Sequence, residues 1–189
     1  MATTFTREYQ GVQVPETGTY AFDQGHTTIE FVGRHLMITK VRGRFTDFGG
    51  QIVIGEAPES SSVEVTINAA SVDSSDEKRD GHLRSPDFLD VENYPAITFR
   101  STKVDIAGDG MAKVAGDLTV KDVTRPVTLD VAFDGAQADP WGGQRLGFSA
   151  HTDIDREDWG LTWNVALETG GMLVSKKIRL EFNVEAVKQ

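Results

Sequence analysis

The chain has 189 residues, 39% of them hydrophobic and 25% charged, and its 19 Lys plus Arg stand against 29 Asp plus Glu for a formal net charge of −10. That length supports one domain with a continuous core, and the acidic balance disfavours nucleic acid and anionic lipid surfaces as partners. The absence of cysteine excludes disulfides, thiolate nucleophiles and Cys-based zinc or iron–sulfur sites.

Met1 to Tyr20 interleaves polar residues such as Arg7, Glu8, Gln10 and Glu16 with single apolar ones. It lacks the apolar run of roughly 7–15 residues that a secretory signal uses. No later window reaches the ~18 apolar residues of a membrane span. These features predict a cytoplasmic chain without an integral membrane segment, in which residues 1–17 form a loosely ordered arm and residues 18–189 a single domain.

Beyond the arm, apolar residues recur mostly with period 2, the signature of half-buried strands. Ile29 and Phe31, then Phe45, then Ile52 and Ile54 mark the first of these. Val63, Val65 and Ile67 alternate with Glu64, Thr66 and Asn68. A helix then interrupts: Ser74 and Glu77 have capping-box spacing, Asp80 precedes Arg84 by four residues in the orientation that favours an ion pair, and Pro86 stops the helix. Leu83 on this helix, with Phe88 and Leu89 behind it, offers an apolar plug. Alternation resumes at Ile97 and Phe99, at Val114, Leu118 and Val120, and at Val127, Leu129, Val131 and Phe133. It continues through Leu146, Phe148 and Ala150 and ends with Ile178, Leu180, Phe182 and Val184. Turn clusters such as Gly108-Asp109-Gly110 and Gly170-Gly171 lie between. About eight strands joined mostly by short turns predict an all-β fold, an eight-stranded antiparallel barrel with a short helix closing one end.

Few residues announce chemistry. His26, His35, His82 and His151 show no metal-binding spacing and read as structural hydrogen-bonding histidines. Asp153, Asp155, Glu157 and Asp158 suggest a calcium loop, but Asp158 and Asn164 stand where the EF-hand needs Gly and Glu. No Gly-x-Ser-x-Gly elbow or phosphate-binding glycine loop is present, so neither a catalytic residue, a metal nor a cofactor is predicted. The aromatic residues, by contrast, mostly share the apolar parity of the strands. Gly33, Gly43 and Gly116 interrupt that parity where a side chain would otherwise project, which removes interior volume and allows an incompletely filled barrel with an apolar cavity.

Six short stretches together resemble the YceI-like family of lipocalin-like, polyisoprenoid-binding barrels: Asp23 to His35 with His26, Ile29 and Phe31; Gly43-Arg44-Phe45 with Phe48 to Gly50; Arg79 to Ser85 with Phe88; Tyr94 to Phe99; Gly116 to Val120 with Thr124 to Val127; and Arg156 with Trp159-Gly160-Leu161. The resemblance runs from about Gly18 to Val187. It implies a barrel whose apolar channel holds a polyisoprenoid or similar amphiphilic lipid, such as a prenylated quinone or its precursor, for sequestration or transport without catalysis. The ligand contacts it suggests are Phe31, Phe45, Phe48, Ile67, Phe99, Leu118, Leu129, Val131, Phe148, Trp163, Leu180 and Phe182. Arg79, Asp80, His82 and Leu83 become the barrel-end helix, with Arg79 and Asp80 fixing it to the barrel. Asp122, Trp159 and Lys176-Lys177 depart from the family's usual residues, as does the missing export signal in a family commonly found in the periplasm. A homodimer is plausible for a ligand that outgrows one barrel. The alternatives are an enzyme acting on a lipid in the barrel, with His35, His82 or His151 as its base, and a filled barrel with no ligand.

Overall fold

The computed structural model describes residues 5–189. In chain order its elements are β1 (Thr6–Tyr9), β2 (Val12–Pro15), β3 (Gly18–Phe22), β4 (Thr28–His35), β5 (Thr39–Phe45), β6 (Phe48–Ile54), β7 (Ser62–Asn68), β8 (Val72–Asp73), α1 (Glu77–Arg84), β9 (Ala96–Gly108), β10 (Met111–Val120), β11 (Val123–Ala138), β12 (Gln144–Asp155) and β13 (Lys177–Lys188). Every pairing between these strands is antiparallel.

Eight strands close a ring in the order β12, β11, β10, β9, β7, β6, β3, β13 and back to β12. Three walls of this barrel are strands broken by a short irregularity. β3 and β4 lie one after the other along β13, with Phe22 opposite Ala186 and Thr28 opposite Asn183. β6 and β5 follow them on the next wall, and β7 and β8 on the one after. The period-2 pattern explains this architecture. One parity of each strand is apolar and faces inward, and the other carries charges that pair across neighbouring strands, as Arg42 does with Glu30 and Glu181, and Lys113 with Asp130.

The segment expected as a loose arm contains the β1–β2 hairpin, with Val14 buried and Arg7 donating to the carbonyls of Gly55 and Glu56. Residues 1–4 lie outside the described residues. This hairpin marks one end of the barrel, together with the β9–β10 turn. The other end carries α1, the segment between β12 and β13, and the β4–β5 turn. A buried cluster built on Ile29, Ile67, Val72, Leu89, Ile97, Leu118 and Trp159 packs the helix end. A second, built on Tyr20, Ile54, Leu146 and Ala186, packs the hairpin end.

The helix starts differently from the predicted capping box. Its cap is Asp76, whose carboxylate accepts from the Arg79 N–H at 3.0 Å. Ser74 turns instead to Asp80, donating from both backbone N–H and hydroxyl to Oδ1. Asp80 is thereby buried and makes no pair with Arg84, whose guanidinium reaches back to the carbonyls of Ala70 and Val72. Burial inside the fold decides both differences, because a buried carboxylate takes the donors it meets there.

Candidate functional site

The barrel encloses a cavity of about 530 Å³, a size typical of small-molecule sites. Its wall is overwhelmingly aliphatic and aromatic, drawn from both core clusters and from the strands between them. Eleven of the twelve sequence-proposed contacts line it: Phe31, Phe45, Ile67, Phe99, Leu118, Leu129, Val131, Phe148, Trp163, Leu180 and Phe182. Phe48 does not, although it packs against the helix-end cluster as several of the lining residues do. Arg79, His82 and Leu83 of α1 are part of the lining, whereas Asp80 is spent on Ser74. Arg79 also engages Ser74, through Nε to the hydroxyl and Nη2 to the carbonyl. Val12, Val14 and Pro15 of the hairpin line the opposite end. The sequence reading missed these residues, although Val12 and Val14 already show strand alternation.

Glycines explain why the interior remains open despite so many aromatic residues. A Cβ on Gly43 would lie 2.2 Å from Cζ of Phe31, and one on Gly116 would lie 2.4 Å from Cζ of Phe99. Gly50 stands in the same relation to Phe22. Each ring lies over a glycine on the adjacent strand, so its bulk sits against the wall rather than across the lumen. The glycines therefore remove volume, and the neighbouring rings take it up.

Charge at the wall is unevenly placed. All five basic lining residues stand at the helix end: Arg34 and His35 at the end of β4, Arg79 and His82 on α1, and Arg156 just after β12. Arg156 is buried, and burial pushes its pKa down. Its Nε donates to the Ser175 carbonyl and Nη1 to the Leu161 carbonyl, while Nη2 has no partner among the described residues. The guanidinium carbon lies 5.7 Å from the Phe88 ring centre, and Phe88, His82 and Trp163 pack edge to face or tilted against one another. Trp159, at the same end, donates its indole N–H to the Leu118 carbonyl at 3.0 Å.

The other histidines sit apart from this arrangement. His26 and His151 are not in the lining, and His26 bonds Asp23 on the surface. His82 Nε2 is 2.8 Å from Asp87 Oδ2, but no serine or threonine hydroxyl is bonded to its ring among the described residues. Asp23, His26 and Glu185 converge closely enough to hold a metal ion. Arg145 already occupies that centre, bonding Asp23, Asp139 and Glu185 together. Its guanidinium holds the Asp23 carboxyl down at about 2.

Residues 20–186 match the family model of the YceI-like domain. The chain belongs to the YceI-like family. A UPF0312 protein of Ectopseudomonas mendocina is 39% identical over 173 residues, covering 90% of this chain and 87% of the relative. The crystal structure of the Campylobacter jejuni YceI protein is similar at a TM-score of 0.72 and 30% identity, over 82% of this chain and 90% of that one. A polyisoprenoid binding domain from Saccharophagus degradans shares the fold at a TM-score of 0.66 and 14% identity, over 92% of this chain and all of that one. The YceI-like match begins beyond the β1–β2 hairpin, so the residues that cover the hairpin end of the cavity lie outside the matched region.

Proposed function

We propose that this chain binds a polyisoprenoid or a similar long amphiphilic lipid, such as a prenylated quinone or its precursor, and sequesters or carries it without chemical turnover. The observation that carries this reading is the apolar cavity with its basic groups gathered at one end. An apolar chain gains about 25 cal/mol per Å² of surface it buries, and the aliphatic and aromatic wall offers that along its length. The 12 residues of β13 extend about 40 Å, or roughly 30 Å of barrel height at a typical tilt, which suits an elongated ligand. Arg79, His82 and Arg156 give a hydroxyl, carbonyl or phosphate head donors at the helix end. The Saccharophagus degradans neighbour, described as a polyisoprenoid binding domain, supports the same ligand class.

Solvent extraction and mass spectrometry of protein purified from its own host tests the proposal. Recovery of a prenyl lipid in a fixed ratio to protein is the expected result. Protein that repeatedly carries no lipid and takes up no prenyl chain in titration refutes it. The His82–Asp87 bond keeps a second reading in view, an enzyme using His82 as base. Chemical conversion of an offered prenyl lipid, lost in His82→Gln, distinguishes that reading.

A further inference from the structure

The β4–β5 turn is built from residues that neither folding nor solubility favours. The Ile38 N–H closes on the His35 carbonyl at 3.0 Å, and the two central residues, Leu36 and Met37, have φ of 51° and 58°. Both central residues in the left-handed region define a type I′ turn, which favours Asn-Gly. Leu and Met there strain the backbone, and they also leave Met37 54% and Ile38 74% exposed. The neighbouring loop adds to the same surface. Leu36 N–H donates to the Leu173 carbonyl, His35 bridges Val174, and Leu173 N–H donates to the Val165 carbonyl. Val165 and Met172 are themselves exposed. Five of the seven large hydrophobic residues exposed among the described residues thus form one patch. It adjoins the cavity directly, because Arg34, His35, Leu173 and Val174 line the cavity wall.

The charge around this patch opposes that of the whole molecule. From Gly33 to Phe45 the chain has Arg34, Lys40, Arg42 and Arg44 and no Asp or Glu. Arg42 and Arg44 are neutralised by Glu30, Glu181 and Asp73, but Arg34 and Lys40 form no ion pair among the described residues. From Leu161 to Val174, the part of the facing loop that meets the turn, Glu168 is the one carboxylate. An apolar tip flanked by two free cations is the pattern of a segment that inserts at a bilayer interface, its cations held at the headgroups.

We propose that the Leu36-Met37-Ile38 turn, with Val165 and Met172, docks the helix end of the barrel onto an anionic lipid bilayer, where the cavity exchanges its ligand with the membrane. This rests on the lipid-binding reading above. The net charge of −10 is an average over the whole chain, whereas the groups next to this turn are the cations Arg34 and Lys40.

Sedimentation with vesicles tests the proposal, using phosphatidylcholine alone and an equal mixture with phosphatidylglycerol. The intact chain is expected to bind the mixed vesicles more strongly. Leu36→Asn with Met37→Gly supplies the favoured turn residues, so the double variant is expected to melt about 2–4 °C higher while its vesicle binding falls about tenfold or more. Lys40→Glu is expected to weaken binding to the mixed vesicles only. Equal binding by the intact chain and the double variant, or none by either, overturns the proposal. So does a concentration-dependent dimer that the double variant abolishes while neither protein binds vesicles, since the patch is then an interface between copies. Uptake of dansyl-labelled geranylgeraniol without vesicles separates the two readings. If both proteins take it up equally, the cavity reading stands whatever the vesicles show; if neither does, the cavity reading fails by itself.

Discussion

Replacing Gly43 by Ala puts a methyl group where Phe31 now lies. The new Cβ would sit 2.2, 2.7 and 2.8 Å from three carbons of that ring, against ordinary carbon contacts of about 3.5–4 Å. Gly43 lies in β5 and has no left-handed φ, so the substitution introduces no backbone strain of its own. The Phe31 ring must leave the wall, and the space available to it is the cavity. Overpacking of this kind costs about 1–3 kcal/mol, which lowers Tm by about 2–12 °C in a chain of this size. Calorimetry on Gly43→Ala, Phe31→Leu and the double variant measures the coupling directly. Phe31→Leu alone removes buried contacts, and in the double variant the smaller side chain tolerates the new methyl group. The double variant is therefore expected to lose less stability than the two single losses added together. A displaced ring also reduces prenyl-lipid capacity in Gly43→Ala, and Phe31→Leu restores it. Full additivity, or a Gly43→Ala protein with unchanged Tm and capacity, refutes the claim that glycines hold the lumen open.

Acid stability reports on the Arg145 hub. The Asp23 pKa is held at about 2, below its usual 3.8, so its contribution is complete above the unfolded value and is lost as pH falls from about 4 to 2. Screening of this partly exposed group limits the contribution to the order of 1–2 kcal/mol. In Arg145→Gln the Asp23 carboxyl, followed by NMR, is expected to titrate nearer its usual value, and stability falls less steeply over that interval. Asp80→Ala leaves the Ser74 N–H without its acceptor, and chemical denaturation is expected to show a loss of about 1–3 kcal/mol. Arg156→Met is expected to weaken binding of a prenyl alcohol about tenfold by titration while leaving squalene, which has no head group, unaffected. Equal losses for both ligands place the Arg156 effect on the wall rather than on a head group.

Period-2 alternation made the strands legible because the two faces of each strand meet different solvents, and eleven of the twelve side chains proposed from parity together with the family resemblance line the cavity. Phe48 shows the limit of parity. It carries the right residue type and pairs with Ile67, which lines the cavity, but it starts β6 immediately after a break in the wall and stays out of the lining. The helix position was legible from its residues, while its cap was not. Ser74 at capping-box spacing looks the same in sequence whether it caps the helix or serves a buried carboxylate, and only the inward packing of Asp80 decides between them. Arg156 was legible only as part of a motif, since its burial and its bonds to the Ser175 and Leu161 carbonyls depend on where Phe88, Ser175 and Leu161 come to lie.

Whether the barrel is filled or hollow is the property on which function turns, and composition does not determine it. The same aromatic residues fill a lumen when their rings point across it and widen it when they lie along the wall. The choice depends on pairs of residues far apart in sequence, Phe31 with Gly43 and Phe99 with Gly116, placed side by side by the strand register. In Phe31 and Gly43 the two residues face each other directly across β4 and β5, so a glycine opposite an aromatic residue in a hairpin of predicted register is a signal that sequence alone supplies. The Phe99–Gly116 contact is diagonal: Gly116 pairs with Ser101 and Phe99 with Leu118, just beyond a register shift between Ala115 and Gly116. The shift shows in β9 as a change of inward parity, from Ile97 and Phe99 to Val104 and Ile106, but a diagonal contact becomes visible only once the ladder itself is known.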